Sequence, residues 1–242
     1  MKKIELIYEG KAKQLFTTER DDVYIMRYKD DATAFNGIKR AHIPNKGKLN
    51  NAISTLLFHQ LHKYKIPTHY IETLNDVEQL CYKVSIFPLE VIVRNIIAGS
   101  MSKRLDIAEG TVAPKVIYEL CYKNDDLGDP LINEDHAIAL GIATQDQLDT
   151  IKALTLKINA ILIEIFDSIG ITLVDFKIEF GKLPNNEVVL ADEISPDSCR
   201  LWDKKTQRKL DKDRFRRDLG QVEDAYQEIL NRLREGFAHD FQ

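Results

Sequence analysis

The stretch from Leu173 to Phe180 constrains the fold of this chain more than any other part of its sequence. Apolar and charged residues alternate strictly there, so a β-strand would place each set on its own face. The apolar positions are Val174, Phe176, Ile178 and Phe180, and the charged positions are Asp175, Lys177 and Glu179. Such alternation is typical of an antiparallel strand with one face against a core. Taken alone, the charged face would most often be a solvated surface.

A turn and a second strand follow this segment. Asn185 and Asn186 tolerate the positive φ angles of tight turns, and residues 187–192 are predicted to form the returning strand. A two-residue loop at these asparagines would place Glu179 directly opposite Asp192. Two facing carboxylates repel each other unless a proton or a cation lies between them. Because no His or Cys is near, the pair favours Mg²⁺ or Mn²⁺ over zinc and predicts a magnesium–nucleotide site.

Hydrophobic periodicity elsewhere predicts strands toward both ends of the chain with helices between them. Strands are predicted at residues 4–8, 12–17, 23–28, 69–74, 79–87, 171–180 and 187–192. Helices are predicted around residues 49–61, 148–169 and 219–233, where apolar residues recur with helical spacing. This order predicts an α+β fold in two lobes, with an N-terminal lobe at residues 1–86 and a C-terminal lobe at residues 87–242.

The composition excludes several classes of protein. Thirty-four Lys and Arg residues against 38 Asp and Glu residues give a net charge of −4, so the overall positive field that suits a nucleic acid is absent. Cys81, Cys121 and Cys199 lie far apart, which is typical of reduced thiols in a cytoplasmic protein. Charged residues interrupt the most apolar stretch, residues 87–99, so no membrane-spanning segment is predicted.

Two lysines follow a glycine near the N-terminus, in residues 8–13. On a strand, Lys11 and Lys13 would point the same way, and Gly10 would let the backbone approach a ligand closely. The segment lacks the spacing of the common glycine-rich phosphate loops. Since lysines are also frequent on surface hairpins, the pattern alone gives weak evidence of phosphate binding.

An apolar run at residues 88–100 contains Glu90 and Arg94. Buried charges are costly unless they are paired or used, so these two residues either satisfy one another or serve a site. The run ends in Ala98, Gly99 and Ser100, whose backbone N–H groups and hydroxyl suit an anion.

A second polar segment, residues 192–203, contains the only tryptophan. Arg200 is a candidate clamp for a phosphate or a carboxylate, because a guanidinium binds both through two hydrogen bonds. Cys199 is expected to pack rather than react, because no histidine lies within a few residues to activate its thiol. Farther along, Arg214 and Arg217 are candidate anion contacts in a run that is otherwise expected to be solvated.

Together these motifs resemble the phosphoribosylaminoimidazole-succinocarboxamide synthase (SAICAR synthetase) family over nearly the whole chain, from residue 6 to about residue 233. The matching segments are residues 8–13, 88–94 with 98–100, 173–181 and 190–203. Each segment is fairly specific, and their occurrence in the right order is highly specific. The family implies a two-lobed, ATP-grasp-like fold, with a small N-terminal antiparallel-sheet lobe and a larger C-terminal α+β lobe.

The resemblance also implies a nucleotide site. The residues implied to contact ATP are Lys11, Ala12, Lys13 and Lys123. Residues 84–87 would be the hinge beside the adenine, between the lobes. Glu179 and Asp192 would bind ATP through Mg²⁺, in agreement with the argument made above from the two strands.

A second implied site takes an imidazole ribonucleotide. The residues implied to bind it are Glu90, Arg94, Ser100 and Arg200. Asp175 and Lys177 are the implied catalytic residues, close to the carboxylate of the ribonucleotide. One position departs from some family members, which carry Asp where this chain has Asn36; an amide does not supply the same charge to a cation.

The family's reaction belongs to de novo purine biosynthesis. It joins carboxyaminoimidazole ribonucleotide to L-aspartate through an acyl phosphate, with cleavage of ATP to ADP and phosphate. A small-molecule kinase of similar two-lobed architecture could use the same lysines and carboxylates, and a regulatory module could bind Mg-ATP without turnover. The family motifs favour the ligase over both. The sequence does not report the oligomeric state, but relatives in the family are commonly homo-oligomers, so the resemblance implies a homodimer.

Overall fold

Two antiparallel sheets account for most of the strands in the computed structural model, which describes residues 1–35 and 37–238. The N-terminal elements are β1 (Leu6–Glu9), β2 (Lys13–Thr17), β3 (Val23–Tyr28), β4 (Asp31–Ala34), β5 (Lys39–His42), α1 (Lys46–Lys63), β6 (Tyr70–Asn75) and β7 (Glu78–Tyr82). Five of these strands form a sheet in the order β1-β2-β3-β7-β6, and β4 pairs with β5.

The second sheet is larger and carries helices. Its part of the chain contains β8 (Ser85–Ile86), β9 (Leu89–Ile96), α2 (Gly99–Leu105), β10 (Val112–Tyr122), a 3₁₀ turn (Asp125–Leu127), β11 (Leu131–Ile132), α3 (Glu134–Ala139), α4 (Gln145–Ser168), β12 (Ile171–Lys182), β13 (Val188–Ala191), β14 (Cys199–Asp203), α5 (Asp213–Arg216) and α6 (Val222–Gly236). The order is β11-β10-β9-β12-β13, and β8 and β14 also pair with β12. A small antiparallel sheet followed by a larger mixed unit confirms the predicted α+β class.

The strand β12 contains the alternating segment at residues 173–180. It pairs with β9, β13, β14 and β8, each time antiparallel. Its apolar face is buried as predicted, but Asp175 and Glu179 on the other face are also only 3% and 4% exposed. The charged face is therefore not a solvated surface.

One predicted strand is wrong as a single element. Residues 79–87 divide into β7 in the first sheet and β8 in the second. The chain leaves the first sheet after Tyr82, where the backbone N–H of Lys83 donates to the carbonyl of Asp22. Val84 then packs against Gly181 of β12, where an added Cβ would lie 2.6 Å from its side chain. Apolar β-forming residues continue through this crossing, so the sequence pattern does not reveal the break.

The three predicted helices are confirmed as α1, α4 and α6. Thr144 and Gln147 cap the start of α4 by exchanging side-chain and backbone hydrogen bonds, and Gly170, with φ +73°, follows its end. The helix α6 begins at Val222, so Leu219, which the prediction included, lies outside the observed helix.

One hydrophobic core joins both parts of the chain. Leu49 and Ile53 of α1 belong to the same buried cluster as Ile158 of α4, Phe176 of β12 and Ile229 of α6. The first sheet adds two small clusters of its own, around Ile25 and Met26 of β3. The helix α1 therefore packs on the C-terminal elements, and the boundary between residues 86 and 87 stays a prediction.

None of the helices in the described part of the chain combines the length and the apolar character that crossing a membrane requires.

A buried ion pair fixes the start of α1. The side chain of Lys46 is 1% exposed, and its Nζ donates to Oδ2 of Asp197 at 2.7 Å. The hydroxyl of Tyr226, on α6, donates to the other oxygen of Asp197 at 2.6 Å. Burial opposes the charge of this carboxyl, but the ammonium groups of Lys212 and Lys46 hold its pKa well below the ordinary value. Three distant segments therefore meet at one carboxylate.

Loss of this pair is expected to destabilise the fold. Lys46→Met leaves the Asp197 charge buried without its closest cation, which should lower the free energy of unfolding by about 3 kcal/mol. Lys48→Met is the matched control, because Lys48 and Asp76 form an exposed pair on the same helix and its loss should cost less than about 1 kcal/mol. Urea unfolding of both variants measures the difference. Equal losses would contradict a role for burial.

Candidate active site

The hairpin of β12 and β13 has a different register from the predicted one. Glu179 pairs with Ala191 rather than with Asp192. The N–H of Leu183 donates to the carbonyl of Glu187 at 2.9 Å, which leaves a three-residue loop at residues 184–186. Asn186 takes a left-handed conformation with φ +68°, as the last residue of such loops commonly does. The predicted two-residue loop, and with it the direct opposition of Glu179 and Asp192, is wrong.

The two carboxylates nevertheless interact. Asp192 directly follows β13 in a left-handed conformation, with φ +63°, so its side chain does not follow the alternation of the strand. Burial, and after it the charge of Asp192, raises the pKa of Glu179. The repulsion predicted from the sequence is therefore present, although the register that suggested it is not.

Three lysines surround these carboxylates, each from a different part of the chain. Lys13 at the start of β2 donates to Asp192, and Lys123 after β10 donates to Oε2 of Glu179 at 2.6 Å. Lys177 of β12 donates to Glu90 and lies 3.7 Å from Oε1 of Glu179. The lysine–carboxylate cluster thus consists of Lys13, Lys123, Lys177, Glu90, Glu179 and Asp192.

The cluster offers a set of donors that suits a hard cation. Within residues 1–35 and 37–238, no group of three or more His, Cys, Asp and Glu side chains is arranged to hold a metal ion. Glu179 and Asp192 offer oxygen atoms only. Mg²⁺ is commonly held by one or two carboxylates and completed by phosphate oxygens and water, so this pair fits Mg²⁺ that arrives with a nucleotide.

The N-terminal loop contacts the second part of the chain near this cluster. Nζ of Lys11 lies 2.7 Å from Oδ1 of Asp125, in the 3₁₀ turn that follows Lys123, and both side chains are exposed. The carbonyl of Ala12 accepts from the N–H of Lys29, which fixes the loop on the first sheet. Asn36, the position where the sequence departs from some family members, lies outside the described residues.

Glu90 and Arg94 of β9 do not need one another as partners. Glu90 accepts from Lys177. Arg94, only 3% exposed, donates from Nε to Oε2 of Glu119 at 2.7 Å and from Nη1 to Oδ2 of Asp175 at 2.8 Å. The hydroxyl of Ser100 lies 3.3 Å from Nη2 of the same guanidinium.

A cavity of about 150 Å³ opens beside Arg94. Five residues implicated by the sequence line it, namely Arg94, Ser100, Asp175, Lys177 and Arg200. Lys177 also belongs to the lysine–carboxylate cluster, so the cavity and the cluster are adjacent. Cys199 lines the cavity as well, but it is 3% exposed and burial raises the pKa of its thiol, which agrees with packing rather than reaction.

Alternating charges hold the cavity wall together. Asp175 accepts from Arg94 and from Nη1 of Arg200 at 2.8 Å. Asp213 accepts from Nε of Arg200 at 3.0 Å and from Nη1 of Arg216 at 2.7 Å. We call this series the arginine–aspartate chain, in the order Arg94, Asp175, Arg200, Asp213, Arg216. All three of its guanidinium groups line the cavity, which suits an anionic ligand.

The two arginines of the last segment that were candidate anion contacts, Arg214 and Arg217, do not line this cavity. Arg214 donates to the carbonyl oxygens of Lys209, Leu219 and Gly220, which is a structural role. Arg217 pairs with Glu109. Arg216, which the sequence argument passed over, lines the cavity. The spacing of Asp213 and Arg216, three residues apart on α5, is a weak signal that could have indicated a pair.

Gly99 is required where Arg200 crosses the start of α2. Its φ is +59°, and an added Cβ would lie 2.3 Å from Nη2 of Arg200. The guanidinium cannot move away cheaply, because Asp175 and Asp213 both hold it. The glycine in the predicted anion-binding segment therefore makes room for a side chain of this protein.

A pair of glycine variants isolates this contact. Gly99→Ala and Gly141→Ala introduce similar backbone strain, since φ is +59° and +67°, but nothing lies within 4 Å of a Cβ at Gly141. Gly99→Ala should therefore lower the free energy of unfolding by about 1–2 kcal/mol more than Gly141→Ala, because it also disturbs two buried ion pairs. Denaturant unfolding gives both values. A smaller loss at Gly99 would show that Arg200 is free to move.

Comparison with known proteins gives consistent matches. A family model described as SAICAR synthetase matches residues 6–233. A phosphoribosylaminoimidazole-succinocarboxamide synthase from Fusobacterium nucleatum is 62% identical over 235 residues, which cover 97% of this chain and 99% of that protein. A protein of the same name from Dichelobacter nodosus is 61% identical, over 97% of this chain and 98% of its own.

Solved structures agree with these sequence matches. The crystal structure of phosphoribosylaminoimidazole-succinocarboxamide synthase from Ehrlichia chaffeensis superposes with a TM-score of 0.93 at 50% identity, over 95% of this chain and 98% of the other. A SAICAR synthetase in complex with ADP superposes with a TM-score of 0.92, also at 50% identity, over 95% of this chain and 97% of the other.

Proposed function

The chain belongs to the SAICAR synthetase family, and on that premise we propose that it joins carboxyaminoimidazole ribonucleotide to L-aspartate with cleavage of ATP to ADP and phosphate. Family membership makes it a ligase of purine biosynthesis, and the solved relatives confirm the expected SAICAR synthase-like fold. One observation supports this specific coupling reaction most directly: Lys177 belongs both to the lysine–carboxylate cluster and to the wall of the arginine-lined cavity.

The proposed chemistry follows from the fact that a carboxylate oxygen is a poor leaving group. An oxygen of the ribonucleotide carboxylate attacks the γ-phosphorus of ATP, ADP leaves, and an acyl phosphate forms. The aspartate amine then attacks the acyl carbon, phosphate leaves with the electron pair of the C–O bond, and the nitrogen loses a proton. The protein's tasks are to position the reactants and to neutralise developing negative charge.

In this proposal the lysine–carboxylate cluster receives the nucleotide. Glu179 and Asp192 would hold Mg²⁺, which would supply positive charge beside the phosphates. Lys13 and Lys123, which donate to these carboxylates in the structure, would donate to phosphate oxygens, and Lys11 and the backbone of Ala12 would bind them from the N-terminal loop. Residues 84–87, which connect the two sheets, take the adenine.

The cavity receives the ribonucleotide. Arg94, Ser100 and Arg200 bind it, while Glu90 and Lys177 lie toward the cluster and therefore toward the carboxylate that reacts. Asp175 accepts hydrogen bonds from two of these arginines, so besides its proposed catalytic role it fixes their guanidinium groups.

Turnover with and without L-aspartate tests the proposal. We expect ADP release from Mg-ATP and carboxyaminoimidazole ribonucleotide to depend on aspartate, with a matching amount of imidazole product followed by its absorbance. ADP release that ignores aspartate would indicate a kinase, which family membership does not favour. Binding of Mg-ATP without turnover would indicate a regulatory module.

Lys177→Ala should separate catalysis from nucleotide binding. We expect kcat to fall by about 100-fold or more, because the ammonium stabilises charge in the transition state, while ATP affinity changes by less than about threefold. Lys204→Ala, which removes an exposed ion pair with Asp167 away from both proposed sites, is the control and should change neither value. Equal losses of kcat and ATP affinity would exclude the transition-state role.

Removal of the cation should abolish activity. EDTA is expected to stop turnover and excess Mg²⁺ to restore it. Glu179→Gln should raise the Mg²⁺ concentration for half-maximal activity by about tenfold or more, because one of two carboxylate ligands is lost. The apparent KM for the ribonucleotide serves as the internal control and should stay within about threefold. An unchanged Mg²⁺ requirement would place the cation elsewhere.

We also propose that the protein is a cytoplasmic homodimer. The family resemblance supports the dimer, and the three cysteines, which are all free and buried, agree with a reducing compartment. Analytical ultracentrifugation of the purified chain tests the oligomeric state.

A further inference from the structure

We propose that Asp213 is a positioning residue that holds Arg200 and Arg216 in the orientation needed to bind an anionic group of the ribonucleotide. The inference rests on the proposed function for the identity of the ligand, but the geometry concerns only residues of this chain. No sequence motif singled out Asp213, and it does not line the cavity itself.

Three guanidinium groups converge on this carboxylate. Asp213, the first residue of α5, is 1% exposed. Its Oδ2 accepts from Nε of Arg200 at 3.0 Å and its Oδ1 from Nη1 of Arg216 at 2.7 Å. Nη2 of Arg217 lies 3.4 Å from Oδ2. Arg200 and Arg216 line the cavity, whereas Arg217 turns to Glu109.

Asp213 is itself fixed to the strand that carries Arg200. Its backbone N–H donates to Oδ1 of Asp211 at 2.7 Å, and Oδ2 of Asp211 accepts from the N–H of Leu201 at 2.8 Å. Asp211 is fully buried. This bridge ties the start of α5 to β14 next to Arg200, so the carboxylate of Asp213 cannot shift without disturbing the strand.

The neighbouring guanidinium groups keep the Asp213 carboxylate ionised. Burial alone would raise the pKa of Asp213, but the guanidinium groups of Arg200 and Arg216 hold it below its ordinary value. Asp213 therefore stays ionised beside them. A guanidinium has five N–H donors. Arg200 uses its Nε and Nη1, and Arg216 its Nη1, for these carboxylates, so other donors remain for a ligand. A long side chain that is ordered before binding loses less freedom when the ligand arrives, which strengthens binding.

Asp213→Asn is the principal test, because asparagine keeps the shape and removes the charge. Binding of carboxyaminoimidazole ribonucleotide alone, without ATP, should weaken by about tenfold or more in titration calorimetry. The KM for the ribonucleotide should rise by a similar factor. The KM for ATP and for aspartate, and kcat at saturating ribonucleotide, should stay within about threefold. Arg217→Gln is the matched control: it removes a guanidinium near the same carboxylate but outside the cavity, and should change ribonucleotide affinity by less than about twofold.

A second variant covers the case in which Asp213→Asn does not fold. Asp213→Glu keeps the arginines compensated and moves the carboxylate by one methylene group. It should weaken ribonucleotide binding by about threefold or more, again with little effect on ATP. A selective loss of this kind distinguishes positioning from a general structural role, which would reduce the affinity for both substrates.

Several results would overturn the inference. A folded Asp213→Asn variant with unchanged ribonucleotide affinity would do so, and so would equal losses for ATP and ribonucleotide. If the wild-type protein binds the ribonucleotide but shows no aspartate-dependent turnover, the proposed function fails, but the binding measurement on Asp213→Asn still tests the positioning role. If the wild-type protein does not bind the ribonucleotide at all, both fail.

Discussion

The burial of carboxylates on the second face of β12 is the constraint on which the rest of the site depends. Asp175 and Glu179 are buried although they lie opposite the apolar face, and Lys177 between them is partly exposed. A buried charge is costly unless an opposite charge accompanies it. The protein meets this requirement with side chains from the strands and loops around β12, and the two sets of partners so assembled are the lysine–carboxylate cluster and the arginine–aspartate chain.

These partners come from far along the chain. Lys13 and Asp192 are separated by 179 positions, and Arg94 and Asp175 by 81 positions. The first pair requires the two sheets to dock, and the second requires β9 and β12 to pair within one sheet, so these charges are compensated only in the folded state. In the proposed complex, phosphates would replace carboxylates as partners of the lysines, and Mg²⁺ would replace lysines as the partner of the carboxylates.

Much of the fold could be predicted because the spacing of apolar residues indicates which face of a strand or helix is buried. The strand at residues 23–28 has the predicted bounds, and α1, α4 and α6 follow their apolar stripes. Several features escaped that signal, among them the strands β9, β10 and β14. The break between β7 and β8 lies within a continuous β-forming run, and the hairpin register depends on the left-handed conformation of Asn186. Single backbone conformations of this kind change which residues face each other without changing the hydrophobic pattern.

The candidate site shows a similar division. Charged residues inside apolar or alternating segments, such as Arg94, Lys177 and Glu179, could be identified from the sequence, because burial of their charges there would be costly. Arg214 and Arg216 lie in a segment crowded with charge, where the sequence offers no reason to prefer either. The fold separates them: three backbone carbonyls occupy Arg214, whereas Arg216 meets Asp213 at the cavity wall. What a charged side chain can do for a ligand depends on which of its donors the protein has already used, and only the tertiary structure determines that.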